Sequence, residues 1–298
     1  MRCKEIRNLL DAYRTGELNP ADVLSVSRHL AECGVCPEEL KFIERLSALI
    51  PVPRAAAPAG LLTRVLDETA DCFGEVGTEI GNALIAFNRR GITMVYLGKM
   101  EPSEFEKYYE QRRGRHAHPA AVPEGYARVV CQAAAGQQPD RLPVDLEGLA
   151  PFERDVLRLL TKIPRGQVRP YRWLAREAGR PKAVRAVGNT MARNPIPLLL
   201  PCHRVVPSQG GVGNYAFGSH VKRELLLREG VPMDELDELA RRRVRFLGCK
   251  STGIYCFPTC RDARRMLPSN RVPLADEAEA GRAGFRPCLH CRPETLAS

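Results

Sequence analysis

The stretch "NPIPLLLPCHRVVPSQGGVGNYAFG", residues 194–218, holds the most distinctive pattern in the chain. Within it, Cys202 is followed directly by His203 and Arg204, after an apolar run and a proline. Cysteine reacts as the thiolate, and a neighbouring base or cation raises the thiolate fraction. Adjacent side chains of an extended segment point apart, however, so adjacency alone does not establish a hydrogen bond. These residues alone leave Cys202 as a nucleophile, a metal ligand or a buried structural thiol.

Composition limits the classes of protein that fit the chain. Its 298 residues are too many for one small core, and with 44% hydrophobic residues it is too apolar for a disordered protein. The net charge of +10 favours a polyanionic partner, and nucleic acid is preferred because no apolar run approaches membrane-spanning length. The first residues, "MRCKEIRNLLDAYRTGEL", lack the apolar stretch of a secretory signal, which predicts a cytoplasmic protein.

The eleven cysteines are concentrated near the two ends of the chain. An odd number of cysteines without an export signal makes disulfides a poor explanation, so metal sites or a reactive thiol are preferred. The first predicted zinc ligands are Cys3, His29, Cys33 and Cys36. The second set has the stronger spacing, two close pairs about 30 residues apart, and consists of Cys256, Cys260, Cys288 and Cys291. The alternative for the first set is a helical mini-domain with spare cysteines.

Hydrophobic periodicity predicts three units. Three helices, in "EIRNLLDAYRTGEL", "PADVLSVSRHLAEC" and "PEELKFIERLSALI", precede a linker that contains "PVPRAAAPAG". The second unit opens with two strands around a turn in "GNALIAFNRRGITMVYLG". Later, "YRWLAREAG" and "KAVRAVGNTMARN" predict two short helices joined by a tight turn, which is helix-turn-helix architecture. The third unit is too small for its own core, and zinc would stabilise it.

Together with "RGQVRPYRWLAREAGRPKAVRAVGNTMARNP", the opening stretch closely resembles the O6-alkylguanine-DNA alkyltransferases over residues 151–230. The segment "PCHRVV" is the most specific part of the resemblance. It implies that Cys202 accepts the alkyl group, that His203 acts as the base through a water, and that Glu229 orients the imidazole. Transfer needs no soluble cofactor, and each molecule acts once because the thioether is not hydrolysed.

The resemblance implies further roles. Asn194 braces the active-site turn, and Tyr171 contacts the flipped nucleotide and protonates the departing guanine. An alkylated guanine oxygen is hidden by stacking, so the base must leave the duplex, and Arg185 fills the vacated space. The other residues expected to contact DNA are Lys182, Ala186 and Arg204. The residues expected to line the alkyl pocket are Pro197, Tyr215, Ala216 and Phe217.

Both ends resemble known zinc modules. The first cluster, with "YRTGEL", resembles the zinc-binding domain of anti-sigma factors, which implies a protein partner or a response to thiol oxidation. At the other end, "STGIYCFPTC" and "FRPCLHCRPE" resemble the metal-binding domain of Ada-type methyltransferases, which implies that Cys256 is a second acceptor, for methyl groups from phosphotriesters. Phe257 stands where that family usually has arginine, and the domain order is reversed. A structural zinc module is the alternative.

The sequence therefore predicts a multidomain α+β protein. We expect a helical zinc domain at 1–50, a linker at 51–76, an RNase H-like subdomain at 77–145, a helical alkyltransferase domain containing the helix-turn-helix at 146–232, and a zinc-stapled module at 240–298. The predicted function is DNA repair on double-stranded DNA by single-turnover alkyl transfer, with structural zinc at both ends and no membrane association. The alternatives are a DNA-binding regulator or sensor switched by cysteine chemistry, and a protein that flips lesions without repairing them.

Overall fold

The computed structural model of the protein describes residues 3–49 and 71–293. The chain divides into two compact units, Met1–Arg64 and Val65–Ser298. Most of the predicted linker, residues 51–70, lies outside the described residues. Its last part, residues 71–76, belongs to a strand that pairs with the next strand from Cys72 to Thr78, so the linker ends earlier than the composition suggested.

The first unit is helical. Its helices are α1 (Cys3–Arg7), α2 (Leu10–Thr15), α3 (Pro20–Glu32) and α4 (Cys36–Leu49). The first predicted helix is thus divided in two, and α2 ends at Gly16, whose φ of 77° is a conformation that glycine adopts without strain. Asn19 caps α3 by accepting a hydrogen bond from the Asp22 backbone. A small apolar core closes the unit, formed by Ile6, Leu10, Val26 and Cys36.

The second unit opens with a four-stranded sheet. Its strands are β1 (Asp71–Thr78), β2 (Gly81–Asn88), β3 (Gly91–Leu97) and β4 (Ala117–Pro119), in the order β3-β2-β1-β4. The predicted hairpin is present as β2 and β3, and β4 pairs in parallel with β1. Helices α5 (Pro102–Arg113) and α6 (Glu124–Ala134) accompany the sheet.

Five helices and a two-stranded ribbon follow. The helices are α7 (Pro151–Leu160), α8 (Tyr171–Glu177), α9 (Val184–Ala192), α10 (Ser219–Arg228) and α11 (Met233–Arg241). The ribbon joins β5 (Arg169–Pro170) in parallel with β6 (Val205–Val206), with Arg169 opposite Val205. A single 3-10 turn, Cys202–Arg204, leads directly into β6. The ribbon therefore joins the beginning of α8 to the segment that carries Cys202.

The C-terminal part forms a second sheet with the order β10-β8-β7-β9. Its strands are β7 (Phe246–Cys249), β8 (Ile254–Cys256), β9 (Arg271–Leu274) and β10 (Arg286–Pro287), and its short helices are α12 (Arg261–Arg264) and α13 (Glu277–Arg282). Its buried residues belong to the same apolar cluster as Trp173 and Leu174 of α8. The module thus shares a core with the preceding helices and does not form a separate compact unit.

None of the described helices is long and apolar enough to cross a membrane.

Candidate active site and metal centres

Cys202 lies in a tightly braced turn. The side-chain amide of Asn194 donates to the Leu200 carbonyl over 2.8 Å, and its oxygen accepts from the Ile196 backbone at 3.1 Å. Between them Leu198 has a φ of 71°, a left-handed conformation that is strained for a side chain of this size. Asn194 therefore bonds to two points of the segment that leads to Cys202. The turn leaves Cys202 only 6% exposed.

Beside Cys202, three buried side chains form one ionic network. His203 Nε2 lies 2.8 Å from Oε1 of Glu229, and Arg204 donates from Nε to Oε2 of the same carboxylate over 2.9 Å and from Nη2 to Oε1 over 2.8 Å. Arg204 Nη1 also donates to the Ile163 carbonyl at 2.7 Å. His203 Nδ1 is buried and has no partner among the described residues. With Nε2 as the donor to Glu229, Nδ1 carries a free lone pair.

Burial and hydrogen bonding set the protonation states of this network. Burial raises the pKa of the Cys202 thiol, and hydrogen bonding by Asn194 and the charge of Lys222 offset only part of the rise. Burial also lowers the pKa of His203, against the opposing effect of Glu229. Burial alone would raise the pKa of Glu229, but hydrogen bonds from His203 and Arg204 lower it to about 2. At neutral pH the site holds a thiol, a neutral imidazole and a carboxylate.

Lys222 is a site residue that the sequence analysis missed. Its ammonium group is buried and donates to the Val205 carbonyl over 2.7 Å. Burial lowers its pKa to about 8, while the nearby Cys202 thiolate would raise it. The pattern of α10 contains a signal for this position, because Leu225 and Leu226 are buried three and four residues later and so share its helix face.

Two tyrosines, Tyr171 and Tyr215, lie close to the thiol. The hydroxyl of Tyr215 is buried beside Cys202, and burial raises its pKa well above the usual value. Burial also raises the pKa of Tyr171, and the negative charge of a Cys202 thiolate would raise it further. Phe217 packs edge-on against Tyr215, with ring centres 5.7 Å apart. Ala216 is exposed and Pro197 is buried among the residues before Cys202.

The residues predicted to contact DNA fall into two groups. Lys182 is exposed in the turn before α9, and Arg185 and Ala186 are exposed at the beginning of that helix, whose opposite face is buried through Val187. Arg204 was expected in the same group, and this expectation is wrong. Its guanidinium is buried and bound to Glu229, so it stabilises the interior of the site.

At the N-terminal end, the structure brings the four predicted zinc ligands together. Their ligand atoms all lie within 4.8 Å of one another. Cys3 Sγ is 3.6 Å from His29 Nε2 and 3.8 Å from Cys33 Sγ. Three thiols and one imidazole at these separations suit a tetrahedral zinc site, which Cys36 completes.

At the C-terminal end, the four predicted thiols also have ligand atoms within 4.8 Å of one another, and all four residues are buried. This set suits a closed, structural zinc site. His290 is exposed and pairs with Asp262 at 2.6 Å, and the same Asp262 oxygen lies 3.4 Å from Cys288 Sγ. Cys249 lies outside the four-thiol set and contacts Ser251.

Three family models match the chain. The model described as "6-O-methylguanine DNA methyltransferase, DNA binding domain" matches residues 151–231. The model described as "Metal binding domain of Ada" matches residues 240–294, and the one described as "Putative zinc-finger" matches residues 3–36. These segments contain the central thiol and the two zinc clusters, respectively.

Several curated proteins are similar to parts of the chain. The bifunctional transcriptional activator/DNA repair enzyme Ada of Escherichia coli is 33% identical over 54% of this chain and 44% of its own length. The human methylated-DNA–protein-cysteine methyltransferase is 55% identical over 26% of this chain and 39% of its own length. The protein of that name from Thermococcus gammatolerans is 36% identical over 53% of this chain and 94% of its own length. The chain thus spans less than half of the first two relatives.

Solved structures also match. The Mycobacterium tuberculosis protein OGT in complex with DNA is 28% identical, with a TM-score of 0.45 over 55% of this chain and 97% of that one. The O6-methylguanine-DNA methyltransferase from Pyrococcus kodakaraensis is 28% identical, with a TM-score of 0.45 over 54% of this chain and 99% of that one.

Proposed function

The chain belongs to the methylated-DNA–protein-cysteine methyltransferase family, and we propose that it repairs O6-alkylguanine in duplex DNA by moving the alkyl group to Cys202. The observation that carries the proposal is the arrangement of His203. Its Nε2 is bound to Glu229, and its free Nδ1 is buried in the same turn as the thiol. This is a base held in one tautomer by a carboxylate, beside a nucleophile that needs deprotonation.

The chemistry proceeds as one displacement. The Cys202 proton passes through a water to His203 Nδ1, and the thiolate attacks the alkyl carbon. The C–S bond forms as the C–O6 bond breaks, and its electron pair leaves with the guanine. Tyr171, kept protonated by its raised pKa, donates a proton to that guanine, so a neutral base departs and S-alkylcysteine remains. The imidazolium and the phenolate then re-equilibrate with solvent. Zinc takes no part in this step.

We further propose that α8 and α9 act as a helix-turn-helix that extrudes the damaged base. The two helices are joined by the turn at residues 178–183, and Arg185 lies at the exposed beginning of the second. An exposed cation beside the small Ala186 can approach the duplex closely and occupy the space that the base vacates. The net charge of +10 provides attraction to the DNA backbone.

Four further assignments belong to this proposal. The sheet order β3-β2-β1-β4, with β4 parallel to β1, supports an RNase H-like subdomain. None of the eleven cysteines forms a disulfide in the described residues, which supports a cytoplasmic location. The exposed apolar side chains Leu24 and Phe42 support a protein partner for the first unit. The buried position of Cys256 supports structural zinc over a second methyl acceptor.

Mass spectrometry after incubation with duplex DNA carrying O6-methylguanine tests the proposal. One methyl group should appear on the tryptic peptide that contains Cys202, and Cys202→Ser should abolish transfer. Cys131→Ser is the control: it removes a half-buried thiol elsewhere in the second unit and should leave methyl transfer intact. Persistent methyl transfer in Cys202→Ser would overturn the assignment. Lesion binding without any methylated peptide in the unaltered protein would favour the alternative of a protein that flips lesions without repairing them.

A further inference from the structure

Arg169 is a buried cation with no carboxylate partner among the described residues. It is 2% exposed. Its Nη1 donates to the Val168 carbonyl over 2.8 Å and its Nη2 to Gln167 Oε1 over 2.6 Å, while Nε is buried without a partner. Neutral oxygens satisfy the donors but do not balance the charge. Burying a charge without an opposite charge nearby is costly, and an arginine cannot avoid this cost by losing its proton.

The C-terminal zinc site supplies such a charge. A zinc ion held by four thiolates has a net charge of about −2. Burial lowers the pKa of Arg169, and all four cysteines of the site are close enough to oppose that lowering. The guanidinium also lies over two rings, 5.2 Å from the centre of Phe257 and 5.8 Å from that of Trp173. Phe257 directly follows Cys256, so these contacts join the cation to the metal site itself.

We propose that Arg169 is the counter-cation of the C-terminal zinc–thiolate site, and that the zinc-bound module clamps the backbone that carries the reacting residues. The inference concerns metal binding, and it stands whether or not Cys202 accepts an alkyl group.

The clamp acts through a short path. In the β5–β6 ribbon Arg169 lies opposite Val205. Strand β5 leads directly to Tyr171, and strand β6 directly follows the 3-10 turn that contains Cys202. The module contacts the start of this ribbon, where the backbone N–H of Val168 donates to Thr259 Oγ1 over 3.0 Å.

A second contact is made to the helix that Tyr171 begins. Trp173 Nε1 donates to the carbonyl of the ligand Cys291 over 3.1 Å. Two parts of the metal site, the loop after Cys256 and the Cys291 backbone, therefore hold β5 and α8. Loss of zinc would free these segments and leave the charge of Arg169 unbalanced.

Zinc release to a chromogenic chelator tests the first half of the proposal on the full-length protein. Release should have two phases, and Cys33→Ser identifies the N-terminal one. Arg169→Met should accelerate the C-terminal phase by about ten-fold or more, as expected when a residue supporting a metal site is lost. Arg169→Lys should have a smaller effect because it keeps the charge but loses the planar stacking.

The N-terminal phase is an internal reference, since its ligands lie in the other compact unit. Arg128→Met removes an exposed arginine paired with Glu124 and should change neither phase. A C-terminal phase unaffected by Arg169→Met overturns the proposal. Equal acceleration by Arg169→Met and Arg169→Lys also overturns it, because the charge would then be irrelevant.

Hydrogen–deuterium exchange on the unaltered protein tests the second half and does not depend on a variant that folds. Zinc removal should increase exchange at residues 168–177 and 202–206, while β2 and β3 remain protected. If exchange at both segments is the same with and without zinc, the zinc-bound module does not hold this backbone in place, and the second half of the proposal is wrong.

Discussion

His203 and Glu229 form a buried pair, with Nε2 and Oε1 2.8 Å apart. The pair fixes the tautomer that leaves Nδ1 as the base. Replacing Glu229 by glutamine removes the charge that stabilises the imidazolium and allows the opposite tautomer. We expect Glu229→Gln to lower the single-turnover rate of methyl transfer by about 100-fold or more.

The matched control for this substitution is Glu224→Gln. Glu224 lies on α10, the helix that ends directly before Glu229; it is half-exposed and pairs with Arg228. It should leave the rate intact. Circular dichroism shows whether each variant is folded, and an unchanged rate in folded Glu229→Gln would contradict the assigned role.

Arg185 should affect the rate of repair in duplex DNA but not the rate of the alkyl-transfer step itself. It is exposed at the start of α9 and lies outside the buried network around Cys202. Because extrusion of a stacked base costs a few kcal/mol, we expect Arg185→Ala to slow repair in duplex DNA by about ten-fold or more. Reaction with free O6-methylguanine should be unaffected. Arg128→Ala provides a control for the loss of one positive charge, and equal slowing of both reactions by Arg185→Ala would exclude a role in extrusion.

Phe217 should limit the size of the alkyl group. Its ring is held between Tyr215 and Tyr96, with centres 5.7 and 5.6 Å away. We expect the unaltered protein to accept methyl faster than benzyl, and Phe217→Gly to raise the relative rate for benzyl by about ten-fold. Tyr96→Phe keeps the supporting ring and should retain the preference. If the unaltered protein transfers methyl and benzyl groups equally fast, Phe217 does not limit the size of the alkyl pocket.

Acid should destabilise the second unit through Glu229. Its folded-state pKa of about 2 lies below the ordinary value of 4.5. A carboxyl with a depressed pKa contributes stability that is complete above the unfolded value and is lost as the pH falls through the folded value. A shift of this size corresponds to about 3 kcal/mol of folding stability. The pKa of His203 is also lowered, so protonation of this residue at low pH destabilises the folded state as well. Urea unfolding from pH 6 to pH 2 measures the loss, which Glu229→Gln should reduce; an equal loss in that variant would contradict this assignment.

The local features of the molecule were predictable from the sequence. The hairpin of β2 and β3, the helices α8 and α9 and both ligand clusters follow from spacing over a few residues, and the comparisons confirm the family resemblance. The burial of Arg204 was not predictable, because its partner Glu229 is 25 residues away and "CHR" fits an exposed cation equally well. The docking of the zinc module was not predictable either, since Trp173 and Cys291 are separated by 118 positions.

The position of Cys256 leads to a last prediction about the C-terminal module. The residue is 0% exposed, in a metal site that faces Arg169 and Trp173 and not solvent. A methylphosphotriester cannot reach the sulfur unless the module leaves its docking surface, and a guanidinium close to a thiolate lowers its nucleophilicity. We expect no methyl group on the Cys256 peptide after incubation of Cys202→Ser with DNA that carries methylphosphotriesters and no alkylated bases.

Zinc content is measured in the same samples, so that loss of the metal is not mistaken for loss of reactivity. Arg169→Met, combined with Cys202→Ser, serves as the sensitive variant because it loosens the docked module. Methylation that appears only in this double variant would show that burial is what protects Cys256. Methylation of Cys256 in Cys202→Ser alone, with zinc bound, would contradict the structural role and make the module a second acceptor.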